Sequence, residues 1–226
     1  MTRGSGAGRR PIPGPGWIPA TTEHPVERQR PSRQMGAARL QCRVVSATPE
    51  RPSKILVYGV TGSGKTVLAQ RIGERMGLPW YSVDDLTWEP GWIQVPLAEQ
   101  RTRIARICAQ REWVLDTAYG AWKDIPLATV DLVVGLDFPR WLSLGRLLRR
   151  TAVRLITRTP ICNGNRESIR VVLSRDSIVV WHFKSFRRKR QRMRRWYSEP
   201  DGPAVLLFRM PAAVNTWLRS LNEDDG

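Results

Sequence analysis

The sequence predicts an α/β domain, a parallel sheet flanked by helices, behind a basic tail. Three observations carry this expectation. Short apolar runs alternate with amphipathic segments of helical period from residue 54 to residue 221, a glycine-rich turn joins the first run to the first amphipathic segment, and residues 1–53 show no sustained apolar period. Strands separated by helices need crossover connections, and such sheets are covered on both faces. A chain of 226 residues with 41% hydrophobic and 25% charged side chains can bury a core of this size.

Taken in order, residues 1–53 hold eight prolines, six glycines and nine arginines against three glutamates. That composition cannot bury enough apolar surface to offset chain entropy, so a disordered tail is expected. It reads as an interaction tail, an unselected extension, or the result of a start codon assigned upstream of Met35. The domain proper is expected over 54–226. Lys54 to Tyr58 is a short buried strand, and Lys65 to Met76 sets Leu68, Ile72 and Met76 on one helical face. Trp80 to Val83 reads as a second strand. Leu97 to Gln110 is a helix with Leu97, Ile104, Ile107 and Cys108 turned inward, followed by a strand at Trp113 to Leu115. Leu132 to Leu136 is a further strand, entering a helix after Pro139. Ala204 to Phe208 is the last strand, and Pro211 opens a terminal helix whose Val214, Trp217, Leu218 and Leu221 face the core.

Composition narrows the function classes. Cys42, Cys108 and Cys162 are scattered and in no CxxC pair, which argues against a disulfide framework and a zinc site. No run of apolar residues approaches the length of a membrane span, and the first residues lack the apolar core of a signal peptide. A cytoplasmic protein, with no membrane partner, is expected. The 37 lysines and arginines against 20 acids leave a net charge of +17, which favours an anionic partner: nucleic acid, a phosphorylated small molecule or an acidic surface. Only five of these cations are lysines, and a G+C-rich coding bias would also raise arginine.

The chemistry starts at Gly59-Val60-Thr61-Gly62-Ser63-Gly64-Lys65-Thr66, which fits GxxxxGK[ST] and lies between a strand and a helix as that motif requires. Gly59, Gly62 and Gly64 let the backbone wrap a phosphate chain, with Thr61 and Ser63 completing the loop and the helix presenting its positive end. Lys65 is expected to neutralise the β and γ oxygens of ATP, and Thr66 to offer its hydroxyl to Mg²⁺. For the second Mg²⁺ ligand, Asp116 ends the apolar strand Trp113 to Leu115 in the manner of a Walker B acid. Asp137, at the end of the next strand, competes with it, unless it caps the Pro139 helix. Asp84 and Asp85 follow the second strand. A carboxylate there can bind the acceptor hydroxyl or take its proton, or it can be a helix cap or turn acid.

The motifs GVTGSGKT, WYSVDDLTWEPGW, WVLDTAYG, VGLDFPRW and CNGNRES, in this order, resemble the adenylate-kinase-like P-loop proteins called DNA topology modulation (FlaR-type) proteins. The resemblance spans about residues 54 to 221. It aligns Asp84 with that family's single aspartate, and Asp85 with its small residue. The third motif keeps Asp116 and Tyr119 but replaces the family's glycine and asparagine with Thr117 and Ala118. It implies a nucleoside monophosphate kinase-type fold, ATP binding and kinase activity, with a lid over roughly 146–170. Arg146, Arg150 and Arg154 recur at helical spacing opposite Trp141, Leu144, Leu148 and Leu155. With Arg158 and Arg166 they are the lid candidates, Arg150 and Arg154 being assigned to catalysis, unless the stripe is a solvated face. The turn-rich Asn163-Gly164-Asn165 is a hinge or a plain turn.

Lys184 to Arg195 carries eight cations and no acid. It is expected on the exposed side of a long helix, either solvated or holding nucleic acid. The leading expectation is therefore a phosphotransferase that moves the γ-phosphoryl group of ATP to a nucleotide or other small-molecule acceptor. The rival is a nucleotide-dependent DNA- or RNA-binding ATPase. A regulatory GTPase is disfavoured, because no NKxD segment occurs.

Overall fold

The computed structural model describes residues 51–157, 162–165 and 178–221. Within them the chain forms β1 (Lys54–Gly59), α1 (Lys65–Met76), β2 (Trp80–Tyr81), α2 (Val83–Thr87), β3 (Trp88–Glu89), β4 (Ile93–Gln94), α3 (Leu97–Cys108) and β5 (Trp113–Leu115). There follow α4 (Asp124–Leu127), β6 (Leu132–Leu136), α5 (Arg140–Thr157), α6 (Ile178–Ser198), β7 (Ala204–Phe208) and α7 (Pro211–Ser220). Five strands pair in parallel in the order β2-β5-β1-β6-β7, while β3 and β4 form a separate antiparallel hairpin. The strand that leads into the glycine-rich loop is thus central, flanked by β5 on one side and β6 on the other. Chain direction across the sheet reverses at this point, which opens a crevice at the carboxyl ends of the strands where such sheets bind ligands. The fold is an α/β fold, a parallel sheet flanked by helices with a glycine-rich loop leaving its central strand.

Alternation along β1 divides the core into two layers. Ile55 and Val57 face one side, where α1 contributes Leu68, Ile72 and Met76 and α7 contributes Val214 and Leu218. Leu56 and Tyr58 face the other, against Ile104 and Ile107 of α3 and Met193 and Trp196 of α6. Burying one such aliphatic side chain contributes about 1.5–3 kcal/mol, so the unbroken burial of β1 makes it the stable floor of the site. Cys108 lies in the second layer, where burial pushes its thiol up to about 12 and keeps it protonated. No helix among the described residues is long and apolar enough to cross a membrane.

Several expectations need correction. The extended segment after Pro79 ends at Tyr81, because the Asp116 carboxylate captures the Val83 amide at 2.9 Å and Ser82 caps α2. Leu97 is exposed at the mouth of α3 rather than inward. Along α5 the buried positions are Ser143, Leu147 and Thr151; Trp141 and Leu148 are exposed, Trp141 by 74%, and Leu144 and Leu155 half-buried. Ser143, Leu147, Arg150 and Arg154 share a face, the one that meets the loop. Arg51, which donates to the Met76 carbonyl, and Ser53, bound through its amide and hydroxyl to Asp131, are tied to the domain although composition assigns them to the tail. Residues 1–50 lie outside the described residues, as do Arg158, Arg166 and much of the lid expected over 146–170.

The largest difference concerns α6. The basic run does not simply line an exposed side: His182, Ser185, Phe186, Met193 and Trp196 are buried, and several cations turn back onto the domain. Asp137, fully buried at the end of β6, accepts from Arg190, and from Arg194 at 2.8 and 2.9 Å. Arg192 donates to the Tyr58 hydroxyl at 3.2 Å. Replacing Asp137 with Ala removes the anchor of both guanidinium groups. Because these arginines keep some solvent contact, the expected loss is about 2 kcal/mol, below that of a fully buried pair. A urea titration checks this, and an unchanged midpoint would show that α6 is held by apolar packing alone.

Candidate functional site

The glycine-rich loop leaves β1 at Gly59 and ends at Gly64, the first turn of α1 following directly. Two of its glycines are conformationally required. Gly64 sits at φ 94 and Gly62 at φ 81, in the left-handed region that side chains disfavour. A Cβ on Gly62 would also lie 2.3 Å from the Ser143 carbonyl oxygen and 2.9 Å from the Leu147 Cβ, so the loop rests against α5 with no room to spare. No side chain caps the start of α1, which leaves its first N–H groups and the positive end of its dipole directed at the loop.

The loop is braced from outside through its carbonyls. Lys65 Nζ donates to the Val60 oxygen at 3.1 Å, Arg146 to the Ser63 oxygen at 3.3 Å, and His182 Nδ1 to the Thr61 oxygen at 3.0 Å. Burial lowers the pKa of His182, and the neutral ring with its proton on Nδ1 makes this bond. The Ser63 hydroxyl is buried without a partner, a polar group that a phosphate oxygen would satisfy. Desolvation likewise lowers the pKa of Lys65, opposed by the charges of Asp116 and Asp84.

Asp116 and Thr66 meet at the mouth of the loop. Thr66 Oγ1 donates to Asp116 Oδ2 at 2.6 Å, and Asp116 Oδ1 accepts from the Val83 amide. Burial raises the carboxyl pKa, the neighbouring Asp84 raises it further, and Thr66, Val83 and Lys65 hold it down. A hydroxyl and a carboxylate, both hard oxygen donors, suit Mg²⁺, which takes one or two protein oxygens and completes its shell with phosphate and water. Among the described residues no group of three or more His, Cys, Asp and Glu could hold a metal by itself. Asp137, the other candidate, is held by Arg190 and Arg194 instead and makes no bond to Thr66.

The acidic pair of α2 separates. Ser82 is the cap, accepting from the Asp85 amide at 3.5 Å, and both aspartates occupy the first turn. The Asp84 side chain is exposed, accepts from the Tyr119 hydroxyl, and acts electrostatically on both Lys65 and Asp116. Burial, then Asp84, raises the Tyr119 pKa well above its ordinary value, so the phenol remains a donor. Asp85 faces Cys162 instead. Arg150 lies near enough to Lys65 to disfavour its charged form, and Arg154 follows one turn later on the same face.

Asn163-Gly164-Asn165 is neither a free turn nor an isolated cap. Asn163 Nδ2 donates to the Asp85 and Trp88 carbonyls at 2.8 and 2.6 Å. Asn165 donates to the Glu89 carbonyl at 3.0 Å and accepts from the Trp92 amide at 2.8 Å. These bonds fasten the segment beyond α5 to the hairpin beside Asp84. Sequence reasoning also missed His182 and Lys189. Lys189 sits mid-helix on α6, near Lys65 and Asp84, and burial pushes its pKa down to about 7. The only available signal was their common helical face with Ser185, Met193 and Trp196.

No protein-family model matches the chain. It is 36% identical over 76 residues to a probable gluconokinase of Mus musculus, a match covering 31% of this chain and 41% of that protein. The chain therefore spans about two fifths of the length of this curated relative. Among solved structures it is similar to a gluconokinase from Sinorhizobium meliloti 1021, with 18% identity, a TM-score of 0.44, and coverage of 76% of this chain and 95% of the other. It is also similar to the shikimate kinase of Acinetobacter baumannii, with 17% identity, a TM-score of 0.46, and coverage of 76% and 92%.

The contact between loop and α5 yields a direct test. Gly62→Ala forces a methyl group into the Ser143 carbonyl at a positive φ, so nucleotide affinity should fall at least about tenfold and stability by more than about 1 kcal/mol. Calorimetric titration with MgATP and a thermal melt measure both, and wild-type values for the variant would show that α5 does not press on the loop.

Proposed function

We propose that the domain is an ATP-dependent kinase acting on the hydroxyl of a small molecule. The observation that carries this reading is the Thr66–Asp116 pair at the mouth of the glycine-rich loop, with Asp84 close enough to Lys65 to act on its charge. ATP binds at Gly59, Thr61, Gly62, Ser63, Gly64, Lys65 and Thr66. Lys65 neutralises the β and γ oxygens. Thr66 and Asp116 would hold Mg²⁺, which when bound would withdraw charge from the phosphates. Asp84 orients the acceptor hydroxyl and takes its proton as the new P–O bond forms and the bond to the ADP oxygen breaks. Arg150 and Arg154 meet the charge that develops on the transferred group.

Support for the kinase reading comes from the 36% identity with the probable gluconokinase. The narrower adenylate-kinase-like, topology-modulation-like reading rests on motif order alone. An acceptor that is a nucleotide or another small hydroxyl compound fits both. No observation favours nucleic acid, because the cations that suggested it include Arg190, Arg192 and Arg194, which bind Asp137 and Tyr58. We place the protein in the cytoplasm on the sequence features alone.

An ADP-release assay over a panel of nucleoside monophosphates, sugar acids and simple alcohols tests the reading. Release in the presence of one acceptor class is expected, with Lys65→Ala lowering it by at least about 100-fold. Wild-type protein that releases no ADP with any acceptor would sink the kinase assignment. For Asp84→Asn, kcat should fall by about 100-fold or more while the KM for ATP stays within a factor of about two. Full turnover in that variant would remove Asp84 from the chemistry.

A further inference from the structure

Helix α6 presents one continuous inward face: His182, Ser185, Phe186, Lys189, Met193 and Trp196 recur at spacings of three, one, three, four and three. Each of these except Lys189 is buried, so the lysine stem lies on a largely covered face, close enough to Lys65 and Asp84 for their charges to act on it. Its ammonium group has no hydrogen-bond or ion-pair partner among the described residues, and the charges nearest it are Lys65, Asp84, Arg188 and Arg192. Directly one turn earlier, the buried Ser185 hydroxyl is also without a partner. Among the described residues, the charges that act on Lys65 or Lys189 are those of each other, Arg150, Arg188, Arg192, Asp84 and Asp116. Asp137 does not help, because Arg190 and Arg194 already occupy it. A half-buried, unpaired cation among other cations costs stability, and such a cost persists where a ligand supplies the missing charge.

We propose that Lys189 is a binding residue for a ligand oxyanion in the gap between Lys65 and Asp84. The inference rests on the nucleotide and acceptor assignments above. It adds that the site holds a second lysine, supplied by the helix beyond the lid region, opposite the lysine of the loop. The oxyanion has one chemistry and two possible sources: the phosphoryl group in transfer, or a carboxylate or phosphate carried by the acceptor beside its hydroxyl.

The test uses the full chain and the variants Lys189→Met and Lys189→Arg. Each protein is titrated with a non-hydrolysable ATP analogue and with ADP, in Mg²⁺. The analogue-saturated proteins are then titrated with AMP and with inorganic phosphate. If the phosphoryl group is the source, Lys189→Met binds the analogue about tenfold more weakly and ADP as before. If the acceptor is the source, both nucleotides bind as before and the second titration weakens. In either case Lys189→Arg retains most of the affinity, and Lys189→Met melts about 2 °C or more above wild type, because an unpaired cation has left a largely covered face. Unchanged affinities in every titration overturn the proposal. So does a lowered melting temperature with a binding loss that Lys189→Arg does not restore, the signature of a structural lysine. ADP release by wild type, followed in parallel, separates the two claims: Lys189-dependent anion binding without turnover would defeat the kinase reading and leave this one standing.

Discussion

The buried carboxylate of Asp137 sets the geometry on which the site depends. It ends β6 beside the central strand, and the two guanidinium groups it receives fix the rotation of α6 about its own axis. With that rotation set, His182 reaches the Thr61 carbonyl, Arg192 reaches Tyr58, and Lys189 lies near Lys65 and Asp84. The ionic contact at the end of a strand and the apolar face of Phe186, Met193 and Trp196 thus agree on which side of a 21-residue helix meets the glycine-rich loop. The opposite brace comes from α5, whose Ser143 and Leu147 leave room only for a glycine at position 62 and whose Arg146 holds the Ser63 carbonyl. The loop conformation is thus imposed by two helices as well as by its own glycines.

The excess positive charge takes a different meaning once its placement is known. A chain of +17 invites a nucleic-acid partner, yet the densest basic run directs its side chains at groups of the same domain. Arginine suits this use, since its planar fork can satisfy a buried carboxylate without losing its charge. The lysines behave otherwise. Burial depresses the pKa of both Lys65 and Lys189, and Lys65 donates to the Val60 carbonyl rather than to a carboxylate.

Local pattern made much of this legible. Uninterrupted apolar runs marked β1, β5, β6 and β7, and the loop motif between β1 and α1 located the glycine-rich turn and the Thr66 hydroxyl that meets Asp116. Asp116 could be named because it ends a buried strand, but only its bond to Thr66 separates it from Asp137, which ends a strand of the same kind. The orientation of α5 was not legible. Amphipathic period reports that two faces differ, and the usual assumption buries the apolar one, whereas here the buried positions are Ser143, Leu147 and Thr151 against the loop, and Trp141 and Leu148 are exposed. The hairpin of β3 and β4 was hidden for a related reason, since two-residue strands carry no alternation to detect. His182 and Lys189 sat within a run whose composition alone suggested solvent.

The fastening of Asn163 and Asn165 to the hairpin beside Asp84 is made almost wholly to main-chain groups: the carbonyls of Asp85, Trp88 and Glu89 and the amide of Trp92. Backbone groups are the same whatever side chain they bear. The side chains of the hairpin can therefore be exchanged without loosening the join, while the glycine-rich loop and its Thr66–Asp116 pair stand on β1, β5 and α1. The hairpin surface and the loop are in this sense separately heritable. A lineage can redraw the outer face of β3 and β4 while the loop, its braces and the Thr66–Asp116 bond stay as they are.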